Sequence, residues 1–231
     1  LSGELDSWRK NFYNPRSISG QDEANGRISD GYAAITSSVN YNWISETTLM
    51  YNKTFKEIHN IDAGLGFSAQ QNRWETVTAS ASGFASDAYE SYNLGAGSAA
   101  ARKPSSELRE WSMVSYIGRV VYTLRDKYIL TGNMRIDGSS RFGADNKYGY
   151  FPSGAVAWKI SEEDFMKDLD WLSDMKVRAS YGLSGNANAL SPYQTLSKLD
   201  YASYNFNGSE ASGYYESKMP SSNLKWETTR Q

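Results

Sequence analysis

The most constraining feature of the sequence is an alternation of apolar and polar residues, sustained over about ten positions at a time and repeated along the chain. Odd positions read Ile61, Ala63, Leu65, Phe67 and Ala69, against Asp62, Gly64, Gly66, Ser68 and Gln70 at the even ones. A second row sets Val114, Tyr116, Val120, Tyr122 and Leu124 against Ser115, Arg119 and Thr123, although Met113, Ile117 and Val121 also fall on the polar side. Tyr128, Leu130, Met134 and Ile136 lie opposite Thr131, Asn133, Arg135 and Asp137. Met175, Val177, Ala179, Tyr181 and Leu183 lie opposite Lys176, Arg178, Ser180, Gly182 and Ser184. Tyr41–Phe55, Tyr148–Ile160 and a stretch from Leu224 repeat the pattern more weakly. A period of two puts successive side chains on opposite faces of a strand. The runs exceed the ~5–6 residues of globular strands and match the ~9–11 that a tilted strand needs to cross a bilayer. The sequence has no apolar run long enough for a membrane helix, so a crossing here uses strands.

The connections are unequal. Short ones are expected near Lys56-Glu57 and Arg125–Lys127, and long ones rich in Gly, Ser, Ala and Asn at Asn72–Glu110 and Gly185–Asn223. Short turns on the periplasmic side and long loops outside characterise outer-membrane barrels. Ser161–Ser173 breaks the pattern: Ser161 and Asp164 read as a helix start, and Phe165, Met166, Leu169 and Leu172 recur at helical spacing. One short periplasmic helix is therefore expected. Seven strands are expected in all, the last interrupted at Gln231. Single-chain bacterial barrels close and generally have even strand numbers, so residues 1–231 are expected to be part of one larger transmembrane barrel domain.

Composition narrows the chemistry. Seventeen Tyr, 7 Trp and 8 Phe with a mean hydropathy of −0.62 suit either a secreted glycan-binding β-sandwich or an outer-membrane barrel with aromatic girdles. A net charge of −2 speaks against a nucleic-acid partner. With no cysteine and the single histidine His59, neither a metal cluster nor a conventional catalytic triad is expected, and no cofactor. The string Asp137, Gly138, Ser139, Ser140, Arg141, Phe142, Gly143 has neither the Lys-Ser/Thr ending of a phosphate loop nor the acidic spacing of a calcium loop. It reads as a tight bend in which Asp137 pairs with Arg141 at the barrel rim. Glu162, Glu163 and Asp164 read as charges complementing a helix start rather than as glycosidase carboxylates. Arg119, Arg135, Lys176 and Arg178 occupy polar faces, where they either line the lumen or pack against carboxylates enclosed by the barrel. Trp74, Tyr89, Tyr92, Tyr193, Tyr201, Tyr204, Phe206, Tyr214 and Tyr215 lie in the long loops, and stacking on sugars, packing on a partner protein and holding the loops together remain equally open. The sequons at Asn52 and Asn207 would carry no meaning in an outer-membrane barrel.

From Ser115 onward the chain closely resembles the SusC/RagA family of TonB-linked outer-membrane proteins. The resemblance is carried by Ser115–Tyr122, Asp126–Thr131, Arg135–Gly143, Phe151-Pro152-Ser153 with Trp158, Ile160–Glu163 with Phe165-Met166, Lys176–Gly182, Gly185-Asn186 and Asn223–Thr229, in that order. Upstream it is looser (Leu49, Tyr51, Lys53-Thr54-Phe55, His59, Gly64), and the first forty residues carry no motif. The resemblance implies a 22-stranded barrel in outer-membrane lipid, plugged by an amino-terminal domain, driven by a TonB complex and capped by a SusD-like surface lipoprotein. It implies uptake of oligosaccharides or peptides with no bond broken, and hence no enzyme. The plug, the TonB-contacting segment and the terminal barrel strand are not recognisable here. A TonB-dependent receptor for another ligand, such as a siderophore, is the alternative within membranes, and the β-sandwich is the alternative outside them.

Overall fold

A computed structural model describes residues 1–16, 20–21, 28–29, 31–166, 171–221 and 223–231. Its strands are β1 (Ser2–Asn14), β2 (Gly20–Gln21), β3 (Ile28–Ser29), β4 (Tyr32–Phe55), β5 (His59–Ser82), β6 (Lys103–Leu124), β7 (Tyr128–Ser139), β8 (Tyr148–Lys159), β9 (Lys176–Asn186), β10 (Lys198–Phe206), β11 (Ser209–Lys218) and β12 (Glu227–Arg230). Eight of them form one sheet in the order β1-β4-β5-β6-β7-β8-β9-β12, while β2–β3 and β10–β11 are separate two-stranded ribbons. The chain divides into two compact units, one made of residues 44–70 and 111–231, the other of residues 2–43 and 71–110.

In the first unit, alternation becomes strand where the sequence predicts it. Antiparallel register sets Ser115 opposite Asp137, Arg119 opposite Asn133, Asn133 opposite Ser153, and Ala157 opposite Arg178. Directly opposed residues share a face, so Ser115, Arg119, Thr131, Asn133, Arg135, Asp137, Ser153, Lys176 and Arg178 fall on one side. The other side carries Tyr116, Val120 and Tyr122 from β6, Tyr128, Leu130 and Met134 from β7, Tyr148, Tyr150, Val156 and Trp158 from β8, and Val177, Ala179 and Tyr181 from β9. β5 joins in phase: Phe67 meets the Tyr116 ring at 5.4 Å, Leu65 lies beside Gly118, and Gly66 lies beside Ile117. This apolar face is open, with Val156 still 55% exposed. Aromatics sit towards both ends of it and aliphatic side chains and glycines between them. Tyr148 to Trp158 covers about 33 Å of strand, or about 25 Å along the membrane normal at a tilt of ~40°, the height of an outer-membrane apolar band.

The two predicted short turns are two-residue hairpin turns with positive φ at both central residues: Lys56 (49°) and Glu57 (61°), Arg125 (53°) and Asp126 (56°). Ile58 N donates to Phe55 O at 3.3 Å and Lys127 N to Leu124 O at 3.1 Å. The periplasmic helix takes another form. Ile160–Glu162 and Asp164–Met166 are single 3-10 turns, and Ser161 Oγ donates to Asp174 at 3.1 Å instead of capping a helix. Leu169, part of the helical spacing, lies outside the described residues.

The second unit corrects the loop boundaries. Residues 72–82 and 103–110 continue β5 and β6, so the connection is 83–102, with 3-10 turns at Asp87–Tyr89, Leu94–Ala96 and Ala99–Ala101. β4 likewise starts at Tyr32 rather than Tyr41, and β1 had no sequence signal. These stretches carry Ser, Thr, Asn or charged residues on both sides, so no apolar stripe announces them as strand, and pairing with neighbouring strands sets their conformation. The unit has its own small core of Ala33, Ala81 and Phe84, packed by Tyr13 and Leu94. Asp87 accepts from Tyr13 Oη and from Arg16 N (3.0 Å), and Arg16 Nη1 donates to Ala85 O at 2.7 Å. The Tyr13 hydroxyl, ahead of the Arg16 amide, holds the Asp87 carboxyl below its ordinary range.

Candidate functional site

Three constellations in the first unit gather the residues that sequence reasoning singled out. The first is on the polar face of the sheet. Arg135 Nε donates to both oxygens of the buried Asp137 at 2.8 and 2.7 Å, and Arg135 Nη2 donates to Ser115 Oγ at 3.2 Å. Asn133 Nδ2 donates to Ser153 Oγ at 3.2 Å. Arg119 lies across from Asn133, and Lys176 lies across from Lys159, two positions from Arg178. Asp137 is therefore the partner of Arg135, two residues away on the same face of β7, and not of Arg141. The predicted Asp137–Arg141 pair is replaced because alternate strand residues stand side by side while Arg141 turns off the strand.

The second constellation is built from the Ser139–Gly143 bend. Ser140 and Ser112 exchange hydrogen bonds at 3.0 and 2.9 Å, and Ser139 N donates to Lys147 O at 3.0 Å. Arg141 leaves the bend to stack on Trp111 at 4.5 Å, and its Nη1 donates to Ala187 O (3.2 Å), Asn188 Oδ1 (2.9 Å) and Leu190 O (3.3 Å). Burial pulls its pKa below the ordinary guanidinium value. Phe142 is buried and stacks on Trp226 at 4.4 Å, and Phe151 meets Trp226 edge-on at 5.5 Å. A Cβ on Gly149 or Gly185 would collide with the Phe151 ring. Asn186 accepts from Asn188 N at 2.9 Å and donates to Glu227 at 3.0 Å. Pro152 lies opposite Met134 on the apolar side. The bend, the segment after β9 and the approach to β12 are thus laced together. Trp111 was missed, since one aromatic in a strand announces no partner.

The third lies at the short-turn edge. Glu163 accepts from Tyr128 Oη at 2.6 Å, Trp158 Nε1 at 3.0 Å and Lys127 Nζ at 3.1 Å. The Tyr128 hydroxyl first, then the Trp158 indole and Lys127, hold its carboxyl at about 2. The triplet Glu162-Glu163-Asp164 therefore contributes a clamp, not a pair of carboxylates flanking a cleft.

The loop aromatics divide. Trp74 is half-buried beneath the Arg109 guanidinium at 4.9 Å. Tyr214 meets Tyr201 edge-on across the β10–β11 ribbon, and Tyr204 lies over Gly213. Tyr89, Tyr92 and Tyr193 are exposed, Tyr92 to 79%. Two hollows lie on the apolar face: one of about 610 Å³ flanked by Leu49, Leu65, Val120 and Met134, another of about 410 Å³ flanked by Tyr122, Leu130, Val156 and Trp158. Among the described residues, no group of three or more His, Asp or Glu is placed to hold a metal ion.

No family model matches the chain. TonB-dependent receptor P3 of Formosa agariphila is 41% identical over 190 residues, which is 82% of this chain and 19% of that protein. TonB-dependent receptor SusC of Bacteroides thetaiotaomicron is 40% identical over 149 residues, 61% of this chain and 14% of that protein. The chain thus spans about a fifth or less of these relatives' length. Among solved structures, that of the RagAB peptide transporter superposes with a TM-score of 0.84 over 99% of this chain and 24% of its own, at 22% identity. An all-β antiparallel sheet with one open apolar face, the ordered motifs and these likenesses agree: the chain is a SusC/RagA-like segment of a TonB-dependent outer-membrane β-barrel protein.

Proposed function

We propose that this chain forms barrel wall and outward loops of an importer that takes up oligosaccharides or peptides across the outer membrane, driven by a TonB complex and assembled with a SusD-like surface lipoprotein. The observation that carries the reading is the two-faced sheet of the first unit. Its open apolar face, with aromatics about 25 Å apart, suits lipid, and its charged face suits an aqueous lumen. On this reading Ile61, Leu65, Phe67, Tyr128, Leu130, Met134, Val177, Ala179 and Tyr181 meet lipid. Asp62, Ser68, Thr131, Asn133, Arg135, Lys176 and Arg178 meet the interior. Arg119, Arg135, Lys176 and Arg178 line the passage, while the Asp137–Gly143 string, Phe151, Gly185 and Asn186 shape the rim and Pro152 and Ser153 shape the wall at mid-strand, all without touching cargo. Tyr89, Tyr92, Tyr193, Tyr204 and Tyr214 of the outward loops, with Trp74 on the continuation of β5, meet the lipoprotein more than the cargo. The sequence likeness to SusC and the fold of RagAB support a lipoprotein partner and a polymeric cargo.

The test is uptake by cells with and without the full-length protein, offered fluorescent oligosaccharides, fluorescent peptides of similar mass and an iron-loaded siderophore. Loss of oligosaccharide or peptide uptake on deletion, with a lipoprotein co-purifying, is the expected outcome. Loss of siderophore uptake alone would replace this reading with that of an iron receptor.

A further inference from the structure

The segment between β8 and β9 is held in an informative place. Tyr128 and Trp158 are directly opposed across the β7–β8 pair, so their rings share a face, and it is the face that carries Leu130 and Val156. Both ring donors converge on Glu163 Oε1, and Lys127 Nζ takes Oε2. The Glu163 carboxylate therefore lies on the apolar side of the sheet, at its short-turn margin, with its side chain only 15% exposed. Phe165 follows two residues later and is 66% exposed. In a barrel whose short turns are periplasmic, that margin is the boundary between hydrocarbon and headgroups. Tyr and Trp rings concentrate there because each has an apolar body and a polar tip.

We propose that residues Ile160–Met166 form a foot on the outer, lipid-facing side of the barrel wall, placing the Phe165 ring among the headgroups and first methylenes of the periplasmic-leaflet phospholipids. The foot rests on the barrel reading above. Its occupant is phospholipid because Glu163 ties the segment to the aromatic edge that Tyr128 and Trp158 make on the apolar face, and Phe165, two residues on, is exposed. Glu163 does not bind a headgroup. Lys127 neutralises it internally, so the clamp offers no unpaired carboxylate to an anionic leaflet, and its three donors fix how far the segment reaches along the wall. A segment turned beneath the lumen would instead take its contacts from the Arg178 face.

The test uses the full-length protein, stripped of any cysteines elsewhere, carrying Val156→Cys, Phe165→Cys or Asp126→Cys with an environment-sensitive NBD label. The proteins are reconstituted into phosphatidylethanolamine–phosphatidylglycerol vesicles. Lipids brominated on the upper acyl chain, a few methylenes below the headgroup, quench the label at 156. Lipids brominated near the headgroup quench the label at 165 about twofold or more beyond that at 126, which stays open to aqueous iodide. Phe165→Cys combined with Glu163→Ala loses that excess quenching. If 156 is quenched while 165 behaves like 126, the foot is overturned and the barrel stands. If 156 is not quenched, the barrel reading fails and takes the foot with it. Undiminished quenching in the Glu163→Ala background overturns the clamp as the device that sets placement.

Discussion

Glu163 illustrates how a single carboxylate is kept charged beside an apolar face. Three donors replace water, and its pKa falls to about 2 from the usual 4.5. A carboxyl with a depressed folded value contributes stability that is complete above its unfolded value, near 4.5, and is lost as pH falls through about 2. Protection of residues 160–166 against hydrogen exchange in the full-length protein, taken relative to the intrinsic rate at each pH, is therefore expected to be constant from neutrality down to about pH 5 and to fall below it. Glu163→Gln should exchange faster at neutral pH and lose that dependence; an unchanged acid profile in this variant would assign the transition to another group. Arg141 makes the complementary case of a cation held by carbonyls and a ring. Arg141→Ala removes a stacking contact and hydrogen bonds from a charged donor, together on the order of 2 kcal/mol. Residues 187–190 should then exchange roughly tenfold or more faster, and Arg141→Lys should restore little, because an ammonium lacks the planar fork.

At the level of elements, the tight hairpin turns use different chemistry for one geometry. Asn207-Gly208 closes β10–β11 with φ of 48° and 83°, a residue pair suited to that region, whereas Lys56-Glu57 and Arg125-Asp126 hold four ordinary side chains there. A non-glycine residue at positive φ costs about 1 kcal/mol. Glu57→Gly should therefore raise the temperature at which the heat-modifiable band of the full-length barrel disappears on gels, and Gly208→Ala should make the 198–218 ribbon about fivefold easier to clip with protease. Equal or opposite shifts would show that tertiary contacts, not turn strain, set these hairpins. The ribbon is the more sensitive, since two strands alone are marginal in water. Beyond its backbone ladder it is held by Tyr204 over Gly213, the Tyr201–Tyr214 edge contact and side-chain hydrogen bonds such as Tyr201–Ser212 and Ser203–Glu210.

At the scale of the whole molecule, β1 and β12 are open edges of the eight-stranded sheet, and the sheet carries an exposed apolar face. Expressed alone in water, residues 1–231 should aggregate; a monodisperse, cooperatively melting monomer would contradict the membrane assignment. In the full-length protein, Ser86→Cys and Ser212→Cys should react with an impermeant reagent on intact cells, and labelling only after the outer membrane is broken would invert the proposed orientation. The two-faced strands and the two short turns were legible in the sequence, because period-two alternation directly records which side of a strand meets an apolar medium, and the turns fall where it breaks. β1 and the continuations of β4, β5 and β6 were not legible, because strands polar on both sides leave no such record, and the β10–β11 ribbon was not, because its aromatics fall on both sides. The partners of charges escaped for a related reason. Asp137 went to Arg135, Arg141 to Trp111 and the segment after β9, and Glu163 to Tyr128 and Trp158. For Arg141 and Glu163, most of these contacts join residues 30 or more positions apart, 35 for Tyr128–Glu163 and 47 for Arg141–Asn188. Sequence determined what each face is made of; only strand register, a long-range property, decided which side chains stand within hydrogen-bonding reach.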